Sequence, residues 1–299
     1  MKKALTIGIF LQIPIVFLCL KEYNRINNNI LGGKIMPLPI RPWEGYVKPF
    51  KIFGNLYFVG TVPASTHLID TGDGLIVIDP GYPQSLYLVI NNICELGFKI
   101  KDIKYIVITH GHYDHLGAVK ALVELTGAKT FIGKEDAAYA NGTEGLTWAK
   151  ELGTEYYEAF VPDVLISHND VIELGNTKIL CKDAPGHTPG TKAFFFDVTD
   201  GTNTYRAAMH GGVGLNSMKK AFLEKYGLST DIRDKFVPAI ESFIDEPVDI
   251  FLGNHVANND TVGKGSQITE DFNPFIDNTA WKTFLTRKIK GYYEMINEE

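Results

Sequence analysis

Cysteine is scarce in this chain: three occur among its 299 residues, at positions 19, 94 and 181. They are too few and too scattered for a disulfide framework or a zinc ribbon. Cys94 and Cys181 are therefore predicted to be small, buried, apolar side chains. Basic clusters are also missing and the net charge is −6, which excludes the electrostatic footprint of a nucleic-acid binder.

The rest of the composition is that of a folded protein. Hydrophobic residues make up 45% of the chain and charged residues 21%, which argues against disorder. The length allows one large domain or two ordinary ones, and either can bury a substantial core. We expect a monomer that acts on a small molecule and has no nucleic-acid partner.

The N-terminus has the pattern of a targeting segment. Two lysines follow Met1, and Gln12 is the only clearly polar residue in the run 4–20, an order typical of an export signal. No small-residue cleavage motif follows, so an uncleaved membrane anchor is an open alternative. We predict a signal peptide or membrane anchor plus linker over 1–35 and one domain over 36–299. The protein is then periplasmic, secreted or attached to a membrane through this segment.

Hydrophobic spacing in the remaining chain predicts both strands and helices. Short apolar runs on either side of 54–55, 73–74 and 175–176 indicate three hairpins. The β-branched run at 105–108 predicts a buried strand. Periodic apolar positions predict further elements, a strand over 248–252 and helices over 85–97, 114–127, 232–244 and 275–296.

The second and third hairpins end in similar turns, Asp79-Pro80-Gly81 and Ala184-Pro185-Gly186. Two similar halves, each with a loop at the same end, suit a pair of packed sheets with a site between them. The strand at 105–108 ends directly before a histidine-rich run, and ligands of α/β sheets bind where a strand ends and a helix begins. The sequence therefore predicts an α/β fold with a ligand site at this end.

The histidine-rich run has the chemistry of a catalytic metal site. His110, His112, Asp114 and His115 stand at positions i, i+2, i+4 and i+5. Neutral imidazoles and a carboxylate, without thiolate, suit zinc in an open catalytic site better than in a closed structural one. The run therefore predicts a zinc-dependent hydrolase.

Three segments resemble the metallo-β-lactamase superfamily: ITHGHYDHLGAV, DAPGHTPGT around His187, and DIFLGNH ending at His255. The resemblance implies a four-layer αββα sandwich, an α+β arrangement within the α/β class, with two zinc ions between its sheets. It assigns the first zinc to His110, His112 and His187. It assigns the second zinc to Asp114, His115 and His255.

One departure from the wider family favours a particular branch. Many hydrolases of the superfamily supply a bridging aspartate, whereas no acid occurs between Asp200 and Glu224 in this chain. The pattern, together with PFKIFGNLYFVGT, is similar to subclass B3 of the class B β-lactamases. That subclass commonly has serines in the loop where this chain has glycines, so we take Gly212, Gly214 and Asn216 as the candidate substrate loop.

Two further residues near the motifs are candidates for supporting roles. His210 is interpreted as a residue that supports the ligands rather than as an extra ligand or substrate donor, because six better-placed groups already serve two ions. Asp79 ends a strand at the same edge, where it either orients the metal loop or caps a turn. His67 and His168 are interpreted as structural.

The resemblance predicts hydrolysis of the β-lactam ring of antibiotics. Zinc lowers the pKa of bound water from 15.7 to about 7, and the resulting hydroxide would attack the amide carbonyl while Asp114, the candidate catalytic residue, orients the water. Two alternatives use the same ligands: a lactone or thioester hydrolase of the lactonase or glyoxalase type, and a non-enzymatic zinc-binding module.

Overall fold

The computed structural model describes residues 42–151 and 158–299. The predicted leader and linker, 1–35, lie outside the described residues and remain a prediction. Within the described residues, no helix is both long and apolar enough to cross a bilayer.

The first sheet has seven strands in the order of the sequence. Its first four strands pair antiparallel, and the fourth to the seventh pair parallel. The strands are β1 (Phe50–Phe53), β2 (Leu56–Phe58), β3 (His67–Asp70), β4 (Leu75–Ile78), β5 (Ile103–Val107), β6 (Lys129–Gly133) and β7 (Val164–Ile166).

The second sheet has five strands in the order β12-β11-β10-β9-β8. All its pairs are antiparallel except β11 with β12, which is parallel. The strands are β8 (Val171–Leu174), β9 (Thr177–Asp183), β10 (Lys192–Thr199), β11 (Thr204–His210) and β12 (Ile250–Leu252).

The helices flank the sheets and connect strands. Gly127, with φ 76°, ends α3 in the left-handed conformation that glycine adopts readily, as the sequence predicts. The α-helices are α1 (Leu86–Glu95), α2 (Tyr113–Leu116), α3 (Val119–Thr126), α4 (Ala137–Ala140), α5 (Lys220–Tyr226), α6 (Asp231–Glu241), α7 (Val256–Asn259), α8 (Thr261–Gly265) and α9 (Ala280–Glu298).

Three hydrophobic clusters separate four layers. Successive strand residues point to opposite faces, so Ile76 and Ile78 of β4 enter the cluster shared by both sheets, while Val77 packs under the helices of the first sheet. In the second sheet, Phe194 faces the shared cluster and Phe195 packs against α6 and α9. The predicted αββα sandwich is confirmed.

The structure differs from the predicted elements at two helices. The predicted helix 114–127 is broken after Leu116, because the Ala118 N–H donates to the Gly81 carbonyl at 3.0 Å instead of continuing the helical ladder. The closing helix begins at Ala280 rather than 275. Phe275 is instead buried in the shared cluster, and Ile276 forms a β-bridge with Ile250.

One cysteine prediction is wrong. Cys181 is buried as expected, but Cys94 is exposed. Helix α1 buries Val89 and Ile93 against the first sheet, and Cys94, one position after Ile93, therefore lies on the outer side of the helix.

Candidate metal centre

The histidine-rich run lies at the end of the sheets where several loops meet. It follows β5, whose last residue is Val107, and it leads directly into α2. His187 lies in the loop between β9 and β10, and His255 follows β12 and precedes α7. The fold therefore brings together three loops that are far apart in sequence.

His110, His112 and His187 form the first donor triad. The ligand atoms of the three side chains all lie within 4.8 Å of one another. Nδ1 of His112 is 2.9 Å from Nε2 of His187, and Nε2 of His110 is buried without a hydrogen-bond partner. Buried polar atoms are normally paired, so this orphaned nitrogen fits a group that coordinates a metal ion.

Asp114, His115 and His255 form the second donor triad. Oδ2 of Asp114 is 3.3 Å from Nε2 of His115 and 3.4 Å from Nε2 of His255. The two Nε2 atoms are 3.3 Å apart. The ring centroids of His110 and His115 are 4.2 Å apart, so the two triads adjoin.

The other ring nitrogens of three donors are held by acceptors outside the triads. Nδ1–H of His115 donates to Asp79 at 2.7 Å. Nδ1–H of His187 donates to the Gly214 carbonyl at 2.7 Å, and Nδ1–H of His255 donates to the Pro63 carbonyl at 2.7 Å. Such bonds fix the tautomer that leaves Nε2 free to bind a metal.

The Asp79 carboxylate is hydrogen-bonded to the start of the histidine-rich loop. Its Oδ1 accepts from the Thr109 N–H at 2.8 Å, and its Oδ2 accepts from the Thr109 hydroxyl at 2.6 Å. The same Oδ2 accepts from His115. One carboxylate thus holds the start of the loop and a donor of the second triad, and its own backbone is left-handed, with φ 54°.

Burial keeps most of the donor imidazoles neutral. It lowers the pKa of His110 and His112 well below the usual value, and the neighbouring histidines lower it further. Burial also lowers the pKa of His187 to about 4, against the opposing effect of the Gly214 carbonyl. Neutral imidazole is the form that binds a metal.

His115 is the exception. Burial disfavours its charged form, but the carboxylates of Asp114 and Asp79 on either side outweigh burial and raise its pKa to about 10. In the metal-free protein the proton therefore stays on His115 at neutral pH, between two acids.

We expect zinc binding at pH 6 to release about one proton per chain, because Nε2 of His115 must lose its proton to coordinate the ion. At this pH the first triad is already neutral, and zinc-bound water, with a pKa of about 7, is mostly not ionised. Calorimetric titration in two buffers of different ionisation enthalpy measures the release. Identical enthalpies in both buffers at pH 6 would contradict the assignment.

The predicted substrate loop lies beside the first donor triad. A Cβ at Gly212 or Gly214 would come within 2.6 or 2.7 Å of the His187 ring. The absence of a side chain at Gly212 and Gly214 thus lets the loop backbone approach the His187 ring closely. Asn216 lines a different groove, with Arg287 and Lys288. Substrate contact by this loop stays a prediction.

The remaining histidines of the described residues lie outside the two triads. Nδ1 of His210 accepts from the Gly212 N–H at 3.3 Å, its Nε2 has no partner, and burial lowers its pKa to about 3. His210 thus supports the glycine loop. His67 is fully buried beside Phe58, and His168 accepts from the Asp183 N–H at 3.1 Å.

A cavity of about 290 Å³ opens beside the first donor triad. Its apolar lining includes Leu146, Phe222 and Leu228. The Phe222 ring stacks on Trp148 with centroids 4.8 Å apart, and Trp148 lies 5.8 Å from the His112 ring. Trp148 has φ 66°, an unusual conformation for a bulky residue, and its position could not be predicted from the sequence.

Comparisons with known proteins agree with this geometry. Residues 59–200 match the family model of the metallo-beta-lactamase superfamily. The beta-lactamase from Chitinophaga pinensis is 30% identical, with a TM-score of 0.75 over 88% of this chain and 99% of that chain. The class B3 di-zinc metallo-beta-lactamase LRA-12 from an Alaskan soil metagenome is 28% identical, with a TM-score of 0.75 over 87% and 99%.

Curated relatives match over shorter segments. Hydroxyacylglutathione hydrolase GloC from Haemophilus influenzae is 28% identical over 56% of this chain and 76% of that protein. The probable metallo-hydrolase YflN from Bacillus subtilis is 26% identical over 48% of this chain and 56% of that protein. The chain thus spans little more than half the length of YflN.

The two packed sheets of this chain, with imidazole and carboxylate donors at one end, have the features of a metal-dependent hydrolase. The chain belongs to the metallo-β-lactamase superfamily. The resemblance inferred from the three sequence motifs is confirmed.

Proposed function

We propose that this protein is a zinc-dependent hydrolase that opens the β-lactam ring. The proposal is supported above all by the pair of adjoining donor triads. The donor atoms of His110, His112 and His187 lie within 4.8 Å of one another, and those of Asp114, His115 and His255 lie within 3.4 Å of one another. The anionic donor in this set is Asp114, and β11 brings His210 rather than an acid to the same end of the sheet. This donor set favours the B3 type over the types with a bridging aspartate.

The residues fit two zinc ions, the first held by the first donor triad and the second by the second donor triad. A di-zinc relative of the same fold supports that number. When bound, the ions supply an ionised water at neutral pH and stabilise the charge that develops on the scissile amide.

The chain's own residues position the reactants. The Asp114 carboxylate stays ionised, because the facing imidazoles lower its pKa well below the usual range even though burial acts in the opposite direction. It therefore accepts hydrogen bonds at any working pH and orients the attacking water. The cavity beside His112 and His187 is lined by Phe222, and we expect it to receive the apolar part of the substrate.

Lactone or thioester hydrolysis is the second candidate. Similarity to a hydroxyacylglutathione hydrolase favours it, since that name describes a thioester substrate class. The donor triads and the cavity serve either substrate, and the difference lies in the leaving group, which is an amine for a lactam and a hydroxyl or thiol for the others.

A substrate panel separates the candidates. Purified, zinc-loaded protein is assayed with a chromogenic cephalosporin, a carbapenem, several lactones and a glutathione thioester, each with and without a chelator. We expect turnover of the cephalosporin that the chelator abolishes and added zinc restores. Chelator-sensitive turnover confined to lactones or thioesters would contradict the β-lactam proposal and support the second candidate. Absence of turnover with every substrate would favour a non-enzymatic zinc-binding module.

The protein is further proposed to be exported and to be a monomer. A β-lactam hydrolase acts where the antibiotic enters, which agrees with the export signal proposed for residues 1–35. Fractionation of cells that express the full chain, followed by size-exclusion chromatography, tests both statements. Recovery in the cytoplasmic fraction would contradict export.

A further inference from the structure

A buried carboxylate outside both donor triads joins the two loops that carry the first one. Asp136 is fully buried at the start of α4. Its Oδ2 accepts from the Gly111 N–H at 2.7 Å and from the Thr188 hydroxyl at 2.5 Å. Its Oδ1 accepts from the Gly190 N–H at 2.7 Å. The carboxylate thus bridges the loop after β5 and the loop before β10.

These bonds end directly beside the donors. Gly111 stands between His110 and His112, and Thr188 follows His187. Every member of the first donor triad is therefore one residue away from an atom that Asp136 holds. Within the described part of the chain, the Asp136 carboxylate makes no hydrogen bond to the second donor triad.

The surroundings of Asp136 leave little room for the loops to shift. A Cβ at Gly190 would lie 2.5–2.8 Å from Asp136, and a Cβ at Gly111 would lie 2.7 Å from the Tyr139 ring. The buried ammonium of Lys192, which pairs with Asp183 and Glu135, offsets part of the charge of Asp136. Burial raises the pKa of Asp136 to about 6, and the three hydrogen bonds and the nearby cation oppose this effect only in part.

We propose that Asp136 is a positioning residue that sets the spacing of the first donor triad and thereby its zinc affinity. The proposal rests on the proposed metal-binding role of that triad and is independent of the substrate. Asp136 acts through the backbone of Gly111 and through Thr188 and Gly190, and its own oxygens are occupied by these bonds.

An amide cannot replace this carboxylate. Each oxygen of Asp136 receives a backbone N–H, so the NH₂ group of an asparagine would face a donor in either orientation. Asp163, which is exposed, provides a control for the same aspartate-to-asparagine change. Oδ2 of Asp163 accepts two hydrogen bonds, one from the N–H and one from the hydroxyl of Thr130. The carbonyl oxygen of an asparagine can accept both of those bonds.

The experiment compares Asp136→Asn with Asp163→Asn. Stepwise zinc affinities are measured by competition with a chromophoric chelator, and thermal unfolding of the metal-free proteins reports fold stability. We expect Asp136→Asn to weaken one zinc site by about 10–100-fold, the usual effect of losing a partner that orients a ligand. The weakened step should be the one that His187→Ala removes. Asp163→Asn should leave both steps unchanged.

A milder variant keeps the test decisive if Asp136→Asn does not fold. Thr188→Val removes one of the three bonds to Asp136 and should weaken the same zinc step by a smaller factor. Wild-type affinity at both steps in the variant that folds would overturn the proposal, and so would equal weakening by Asp163→Asn. Two intact zinc steps without β-lactam turnover in the wild-type protein would refute the proposed function but not the role of Asp136.

Discussion

Replacing Asp114 with alanine is expected to lower kcat/KM for hydrolysis by at least about a thousandfold and to remove one zinc equivalent. Asp114 is the anionic member among the six donors, and its Oδ2 lies within 3.4 Å of both imidazoles of its triad. A metal ion contributes several kcal/mol of transition-state stabilisation, and about 4 kcal/mol corresponds to a factor of a thousand.

Steady-state kinetics and metal analysis of the same samples test this expectation. His168→Ala is the control, because His168 is exposed and lies outside both triads. Its imidazole accepts a hydrogen bond from the Asp183 N–H and lies 4.0 Å from the Asp183 carboxylate. The variant should keep both zinc equivalents and full activity. If Asp114→Ala retained zinc-dependent activity within tenfold of the wild type, Asp114 would not be a ligand of the reactive site.

The second large effect is expected for Asp79→Asn. The Asp79 carboxylate accepts the Nδ1–H of His115 and the N–H of Thr109 through different oxygens. An asparagine that keeps the Thr109 bond presents its NH₂ group to His115. The imidazole would then accept at Nδ1 and carry its proton on Nε2, which is the atom that faces the second donor triad.

We therefore expect Asp79→Asn to weaken zinc binding at the second triad by about a hundredfold, at the upper end of the range for such partners. Chelator competition measures the affinity. Thr109→Val removes the hydroxyl bond to Asp79 and the 3.0 Å contact of the same hydroxyl with Nδ1 of His110. It leaves both Asp79 oxygens in place for His115 and the Thr109 N–H, so its effect on the second triad should be much smaller. Equal losses in the two variants would show that packing of the loop, rather than the tautomer of His115, controls the metal.

The metal-binding motif was predictable because its chemistry is concentrated in a short stretch. His110 to His115 follow a β-branched strand, and that order of residues indicates both the ligands and their place at a sheet edge. His187 and His255 were assignable only through the resemblance to a known family. Spacing alone does not indicate that residues so distant in sequence share a site.

The partners that orient the donors were not predictable. Pro63 and Gly214 act through backbone carbonyls, which every residue possesses and which leave no pattern in the sequence. Asp136 lies 25 residues after Gly111 and 52 before Thr188, so its role appears only when the loops are folded together. The break after Leu116 likewise depends on the distant Gly81 carbonyl.

We expect each of the two donor triads to hold one zinc ion. Native mass spectrometry of the zinc-loaded protein tests this most directly, with the Asp114→Ala and His187→Ala variants measured alongside it. The expected result is two zinc ions per wild-type chain and one in each variant. A wild-type chain that binds one zinc ion or none, or variants that keep both, would contradict it.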